Sequence, residues 1–176
     1  FFDQNLVQSQ SSVYSYAGAM HTSSFLFLEG CVDVDEKKAK KIANLYSIPH
    51  TYLDYHEALA KLSPEFVIVA TPDHTHFQIS KEILLSVNCP KLIIVEKPLC
   101  LSLDELETLK HLANSKTTQL IINQSRRFNA RFKVLKKQIA KDEYGAPFRL
   151  DFYTYGDWKK NGIHTIDTLM YLFGKS

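Results

Sequence analysis

A lysine beside a proline, at the end of an apolar run, is the residue of this chain best placed to do chemistry. Lys91-Leu92-Ile93-Ile94-Val95 is the kind of run a buried parallel strand leaves in sequence, and Glu96-Lys97-Pro98-Leu99 follows it directly. In an open α/β sheet, ligands bind just beyond the carboxyl ends of the strands. An ammonium there, on backbone restrained by proline, is a fixed cation in a cleft. A charge there is costly unless it contacts a ligand or a partner. A solvated loop lysine is the plain alternative for a single Lys-Pro pair.

Three other places carry comparable residue types. Asp33 closes the run Phe25–Val32. An acid at that place in a dinucleotide-binding fold accepts hydrogen bonds from the ribose hydroxyls and repels a 2′-phosphate. Lys37 and Lys38 nearby weaken that preference, and helix capping is the competing role for Asp33. Thr71-Pro72-Asp73-His74-Thr75-His76 follows the run Phe66–Ala70, with Pro72 suited to a turn and Asp73 to a helix cap. His74 and His76, without a cysteine or carboxylate constellation, do not make a metal site, and no metal is expected. Asn161-Gly162-Ile163-His164-Thr165-Ile166-Asp167 sets a histidine at a helix start, where it can accept a proton near neutral pH or pack as a structural residue.

The elements that must position these residues alternate. Strands are expected at 25–32, around Thr51-Tyr52, at 66–70, at 91–95 and at Leu120–Asn123. Between them lie helices marked by Ala39, Ile42, Ala43 and Tyr46, by Ala58 and Leu62, by Phe77, Ile79, Ile83 and Leu84, and by Leu103, Leu106 and Leu109. Asp35 reads as a helix N-cap, and Ser102-Leu103-Asp104-Glu105 as a capping box. This order argues for a doubly wound parallel sheet over residues 1–125. The pattern changes at 126. A helix with Phe132, Leu135 and Ile139 precedes Phe148, Leu150 and Phe152, which alternate with polar neighbours as in an antiparallel strand. A helix with Ile166, Leu169, Met170 and Phe173 on its apolar side, stopped by Gly174, comes last. Residues 126–176 therefore read as the start of an α+β domain with a mostly antiparallel sheet. Segments are expected to be missing at both ends, because the chain opens on Phe1-Phe2 without a first strand.

Composition narrows the classes. The 176 residues are 45% hydrophobic and 23% charged, with a formal net charge of +2. That balance argues against nucleic acid as partner. No apolar stretch approaches the roughly 20 residues of a membrane span. Cys31, Cys89 and Cys100, without Cys-x-x-Cys spacing, read as reduced thiols of a cytosolic protein.

Taken together, the motifs resemble the glucose–fructose oxidoreductase and inositol 2-dehydrogenase family, Gfo/Idh/MocA. Val32-Asp33-Val34-Asp35 is similar to the end of its second strand, and Val69-Ala70-Thr71-Pro72 with His76 to its turn after a later strand. Glu96-Lys97-Pro98-Leu99 matches its signature tetrapeptide. Arg126-Arg127-Phe128 and Gly162–Asp167 match its domain-junction motifs, and Ser15–Ala19 looks like the helix after its phosphate loop. On that alignment the glycine-rich loop falls just before Phe1.

The resemblance implies an NAD(P)-dependent oxidoreductase acting on a sugar, cyclitol or sugar-derived acid, with a Rossmann domain for the cofactor. The second domain would roof the substrate and form a homo-oligomer. Lys97 would donate to the reacting oxygen, braced by Pro98 through a cis bond, and His164 would accept the hydroxyl proton. Asp33, Thr71, Pro72, His76, Glu96 and Lys97 would form the cofactor side, for NAD or NADP. One departure stands out. Lys160 occupies the place, four residues before the histidine, where dehydrogenases of the family often carry Asp. This keeps two rivals open: a dinucleotide-binding homologue without redox turnover, and a glycosidase or lyase that oxidises its substrate transiently.

Overall fold

The computed structural model describes residues 15–145, 147, 149–154 and 156–174, with backbone alone for Lys159 and Lys160. The chain divides into two compact units, one of Phe1–Pro64 with Ser86–Asn88, the other of Glu65–Leu85 with Cys89–Ser176. The boundary expected from sequence pattern, near residue 126, lies inside the second unit.

The first unit contains α1 (Tyr16–His21), β1 (Gly30–Val32), α2 (Glu36–Tyr46), β2 (His50–Tyr52) and α3 (Tyr55–Leu62). β1 and β2 pair in parallel, Gly30 opposite His50 and Val32 opposite Tyr52. Ser15 caps α1, Asp35 caps α2 and Asp54 caps α3, each accepting from backbone N–H groups of the first turn. α3 packs close against β1 at Gly30, where a Cβ would lie 2.6 Å from Cδ1 of Leu62 and push that side chain aside. The strand expected over 25–32 is hydrogen-bonded only at 30–32. Phe25 and Phe27 are 78% and 76% exposed, because the ladder with β2 reaches no further than three residues.

The second unit contains β3 (Phe66–Val69), α4 (His76–Leu85), β4 (Leu92–Val95), α5 (Leu103–Lys116), β5 (Gln119–Ile122), α6 (Ala130–Ala140) and α7 (Ile163–Phe173). Its sheet runs β3-β4-β5, all parallel, with Val69 opposite Val95 and Val95 opposite Ile122. This common register brings the three carboxyl ends to one level, so that Ala70, Glu96 and Asn123 leave the sheet side by side. Ile93 and Val95 of the central strand are fully buried, as are Ile83 and Leu84 of α4 and Leu109 of α5.

Three expectations need correction here. Leu103 is exposed, and α5 buries Leu109 and Ala113 instead. Its Ser102 Oγ accepts from Glu105 N at 3.2 Å, but Glu105 Oε2 accepts from Leu101 N, one residue earlier than a standard capping box. The alternating segment forms no strand among the described residues 149–154, and Leu150 and Phe152 are open to solvent. A strand without a hydrogen-bonded neighbour has nothing to hold it extended. Phe148 lies outside the described residues. On α7 the buried positions are Thr165, Thr168 and Leu172, while Ile166 and Met170 are exposed. The helix is turned so that its threonines face inward. Thr168 Oγ1 satisfies itself by donating to His164 O at 2.6 Å.

Candidate active site

The site grows from the ends of β3, β4 and β5. After β3, Thr71 and Pro72 lie exposed at the start of a single tight turn, Asp73–Thr75. Thr75 N donates to Pro72 O at 2.9 Å, and the Thr75 hydroxyl lies 2.7 Å from both Pro72 O and Thr71 Oγ1. Asp73 makes no side-chain cap, contrary to expectation; Pro72 takes the cap position and the Thr75 hydroxyl ties the turn. His76 opens α4 and is fully buried. Its Nδ1 lies 2.7 Å from Pro98 O and its Nε2 2.7 Å from Thr71 O. Each ring nitrogen faces a backbone carbonyl, and the neutral ring, with one N–H, donates to one of the two. The ring therefore links the β3 turn to the tetrapeptide.

After β4 the ladder continues through Glu96 N, which donates to Val69 O at 2.9 Å. Asn123, just past β5, donates from Nδ2 to Glu96 Oε1 at 2.7 Å. The Lys97–Pro98 peptide is cis, as the resemblance implied, and Lys97 is half-buried. Asn123 was not among the expected site residues. Its signal was available, since it follows β5 in the same register as Glu96 follows β4.

The junction motifs approach the same place. In the turn Ser125–Phe128, Arg126 Nη1 lies 3.4 Å from Thr168 Oγ1 and 3.5 Å from His164 O. Arg127 clamps Asp167 with two short bonds, Nη2 to Oδ1 at 2.7 Å and Nε to Oδ1 at 2.9 Å, and its guanidinium lies 5.7 Å from the Tyr171 ring centre. This pairing holds the Arg127 proton more firmly than usual. The Asp167 side chain is 12% exposed and that of Arg127 44%. Replacing Arg127 by Ala is expected to lower stability by about 1 kcal/mol, the worth of a charged hydrogen-bond pair discounted for exposure. Urea unfolding of the full-length protein measures it; an unchanged midpoint would deny the clamp a net contribution.

His164 sits in the first turn of α7. Its Nδ1 is buried and has no hydrogen-bond partner among the described residues. Its proton affinity is pushed down from the ordinary imidazole value, first by burial, then by the positive charges of Lys97 and Arg126. Asp167 and Glu96 oppose this but less strongly. Lys97, Glu96 and His164 thus feel each other's charge within one unit. A neutral imidazole can take a proton, and a nearby cation can steady an oxygen that gains charge. Lys160 lies on the π-helical turn Trp158–Gly162 that leads into α7.

Asp33 belongs to the first unit. It follows β1, and its Oδ1 accepts from Asp35 N at 2.9 Å. Asp35, not Asp33, caps α2. Among the described residues no group of three or more histidine, cysteine or acidic side chains is arranged to hold a metal.

Residues 11–124 match the family model described as the GFO_IDH_MocA oxidoreductase family, NAD-binding Rossmann fold. The chain belongs to the Gfo/Idh/MocA family. The family resemblance and its Rossmann-type fold, read from the motifs, are borne out. The uncharacterized oxidoreductase C115.03 of Schizosaccharomyces pombe is 31% identical over 166 residues, 84% of this chain and 44% of the relative. Myo-inositol 2-dehydrogenase of Thermotoga maritima is 23% identical over 135 residues, 74% of this chain and 40% of the relative. The crystal structure of scyllo-inositol dehydrogenase from Lactobacillus casei, with bound cofactor NAD(H) and scyllo-inositol, superposes with a TM-score of 0.76 at 16% identity. That match covers 91% of this chain and 52% of that one. This Gfo/Idh/MocA chain spans less than half the length of those two curated relatives.

The family is NAD-binding, and within the second unit exposed Thr71 and Pro72 and half-buried Glu96 and Lys97 follow parallel strands, at the edge where such folds meet their ligands. No helix among the described residues is long and apolar enough to cross a membrane.

Proposed function

We propose that the protein is an NAD(P)-dependent oxidoreductase acting on a hydroxyl carbon of a sugar, cyclitol or sugar-derived acid. The observation that supports this reading is the cluster at the carboxyl ends of three parallel strands in register, where Glu96 and Lys97 directly follow the central strand and Asn123 Nδ2 donates to Glu96 Oε1 at 2.7 Å. When bound, the nicotinamide supplies the hydride acceptor or donor. Lys97 donates a hydrogen bond to the substrate oxygen and offsets its developing charge. His164, kept neutral by burial and by neighbouring cations, takes the hydroxyl proton. Glu96, fixed by Asn123, and the Thr71-Pro72 turn line the cofactor side, with Asp33 on the ribose.

Assay of the full-length protein for nicotinamide reduction over a panel of polyols and sugar acids tests the proposal. Binding of NADH without turnover on any member would favour the rival homologue lacking redox turnover. Lys160 and the absence of a carboxylate bonded to the His164 ring among the described residues are what favour that rival. Sugar cleavage without net NADH would instead favour transient oxidation.

Asp33 carries a separate prediction. Asp33→Ser is expected to raise the NADP-to-NAD ratio of kcat/KM by about tenfold, since removing one like charge near a phosphate in a partly solvated site is worth about 1.4 kcal/mol. Unchanged discrimination would remove Asp33 from the ribose site.

A further inference from the structure

We propose that His76 is a positioning residue: its imidazole, spanning the Thr71 and Pro98 carbonyls, holds the tetrapeptide so that Lys97 is aimed at the substrate oxygen. The proposal rests on the role assigned to Lys97 above.

The geometry is specific. His76 is fully buried at the start of α4, and each ring nitrogen lies 2.7 Å from a backbone oxygen. Carbonyl oxygens only accept, so each contact is a hydrogen bond whenever that nitrogen carries its proton. One oxygen belongs to the turn after β3. The other belongs to Pro98, the residue next to Lys97, 22 positions along the chain from His76. No ladder bond reaches that far, because β4 pairs with β3 only up to Val95 and the last backbone link is Glu96 N to Val69 O. Beyond Glu96, Leu99 is buried and this imidazole reaches the Pro98 carbonyl. A side chain with two opposed nitrogens spans two carbonyls; no aliphatic residue of equal volume does.

The test uses three replacements in the full-length protein. His76→Phe fills the space without a donor, His76→Asn keeps an amide near the Nδ1 place, and His76→Gln keeps one near the Nε2 place. The first readout is independent of turnover: the NMR resonance of Lys97 after reductive 13C-methylation, assigned by its loss in Lys97→Ala. It is expected to move in His76→Phe and His76→Gln and to stay close to native in His76→Asn, which keeps the Pro98 bond. A native resonance in the folded Phe variant, or equal shifts in the Asn and Gln variants, would overturn the proposal.

Kinetics give the second readout. His76→Phe is expected to lower kcat about 100-fold, the scale of a misplaced reacting group, while its dissociation constant for NADH changes little. Added to Lys97→Ala it is expected to cost no more than about twofold further, the sign of action through one residue rather than independently. Full additivity would instead overturn the latch. Should Lys97→Ala alone leave turnover intact, the proposed chemistry fails, while the resonance still decides whether His76 positions the lysine.

Discussion

Lys97→Ala is expected to lower kcat/KM for polyol oxidation by about 100-fold or more, the range seen when a donor to a developing oxyanion is removed. Lys97 is half-buried as a residue, unlike a lysine standing wholly in solvent. It stands on backbone tied to its neighbours on both sides, through Glu96 N to Val69 O and through Pro98 O to His76. An ordered donor costs little reorganisation when charge develops, which is why its removal is felt in kcat. Lys97→Arg keeps the charge but replaces a compact head by a planar fork, and should recover only part of the loss. Affinity for NADH should change less than kcat in both variants. Equal turnover by native and Ala proteins would end the case for Lys97.

The second large effect concerns His164. His164→Asn is expected to cost about 1,000-fold in kcat, within the range of general base catalysis. The pH profile gives the sharper check. Only the neutral ring accepts a proton, so oxidation falls as pH drops through the His164 pKa. Burial and the charges of Lys97 and Arg126 depress that pKa. The acid limb of kcat/KM should therefore lie below the ordinary imidazole value, and activity should persist to lower pH than a free histidine allows. Arg126→Gln removes one depressing charge, so its limb should move to higher pH. The guanidinium is exposed, so the displacement should be small. A limb that moved down, or none in the native protein, would remove His164 as the base.

Most of the cofactor scaffold was legible because its signals are local. An apolar run such as Leu92–Val95 declares a strand buried on both faces, and the polar residues that end it declare which edge will meet a ligand. Asp35 and Ser102 cap the helices that follow them, where short oxygens meet free N–H groups of the first turn. The ordered set of motifs, not any one alone, pointed to the family.

Whatever depended on a partner distant in the chain was settled by tertiary structure. Periodicity shows that a helix has an apolar side, but the neighbour decides which side is buried. On α7, Ile166 and Met170 make the stripe, yet Thr165 and Thr168 face inward. The residues 25–29 read as strand because their composition suits one, but a strand exists only where another lies alongside, and β2 is three residues long. His76 reads as a cofactor contact by its place in the turn. The fold buries it between two carbonyls, one of them 22 residues away. Residue types and their order established the chemistry available to this protein. The packing of one element on another decided which of those groups are buried and which are held by a partner distant in the chain.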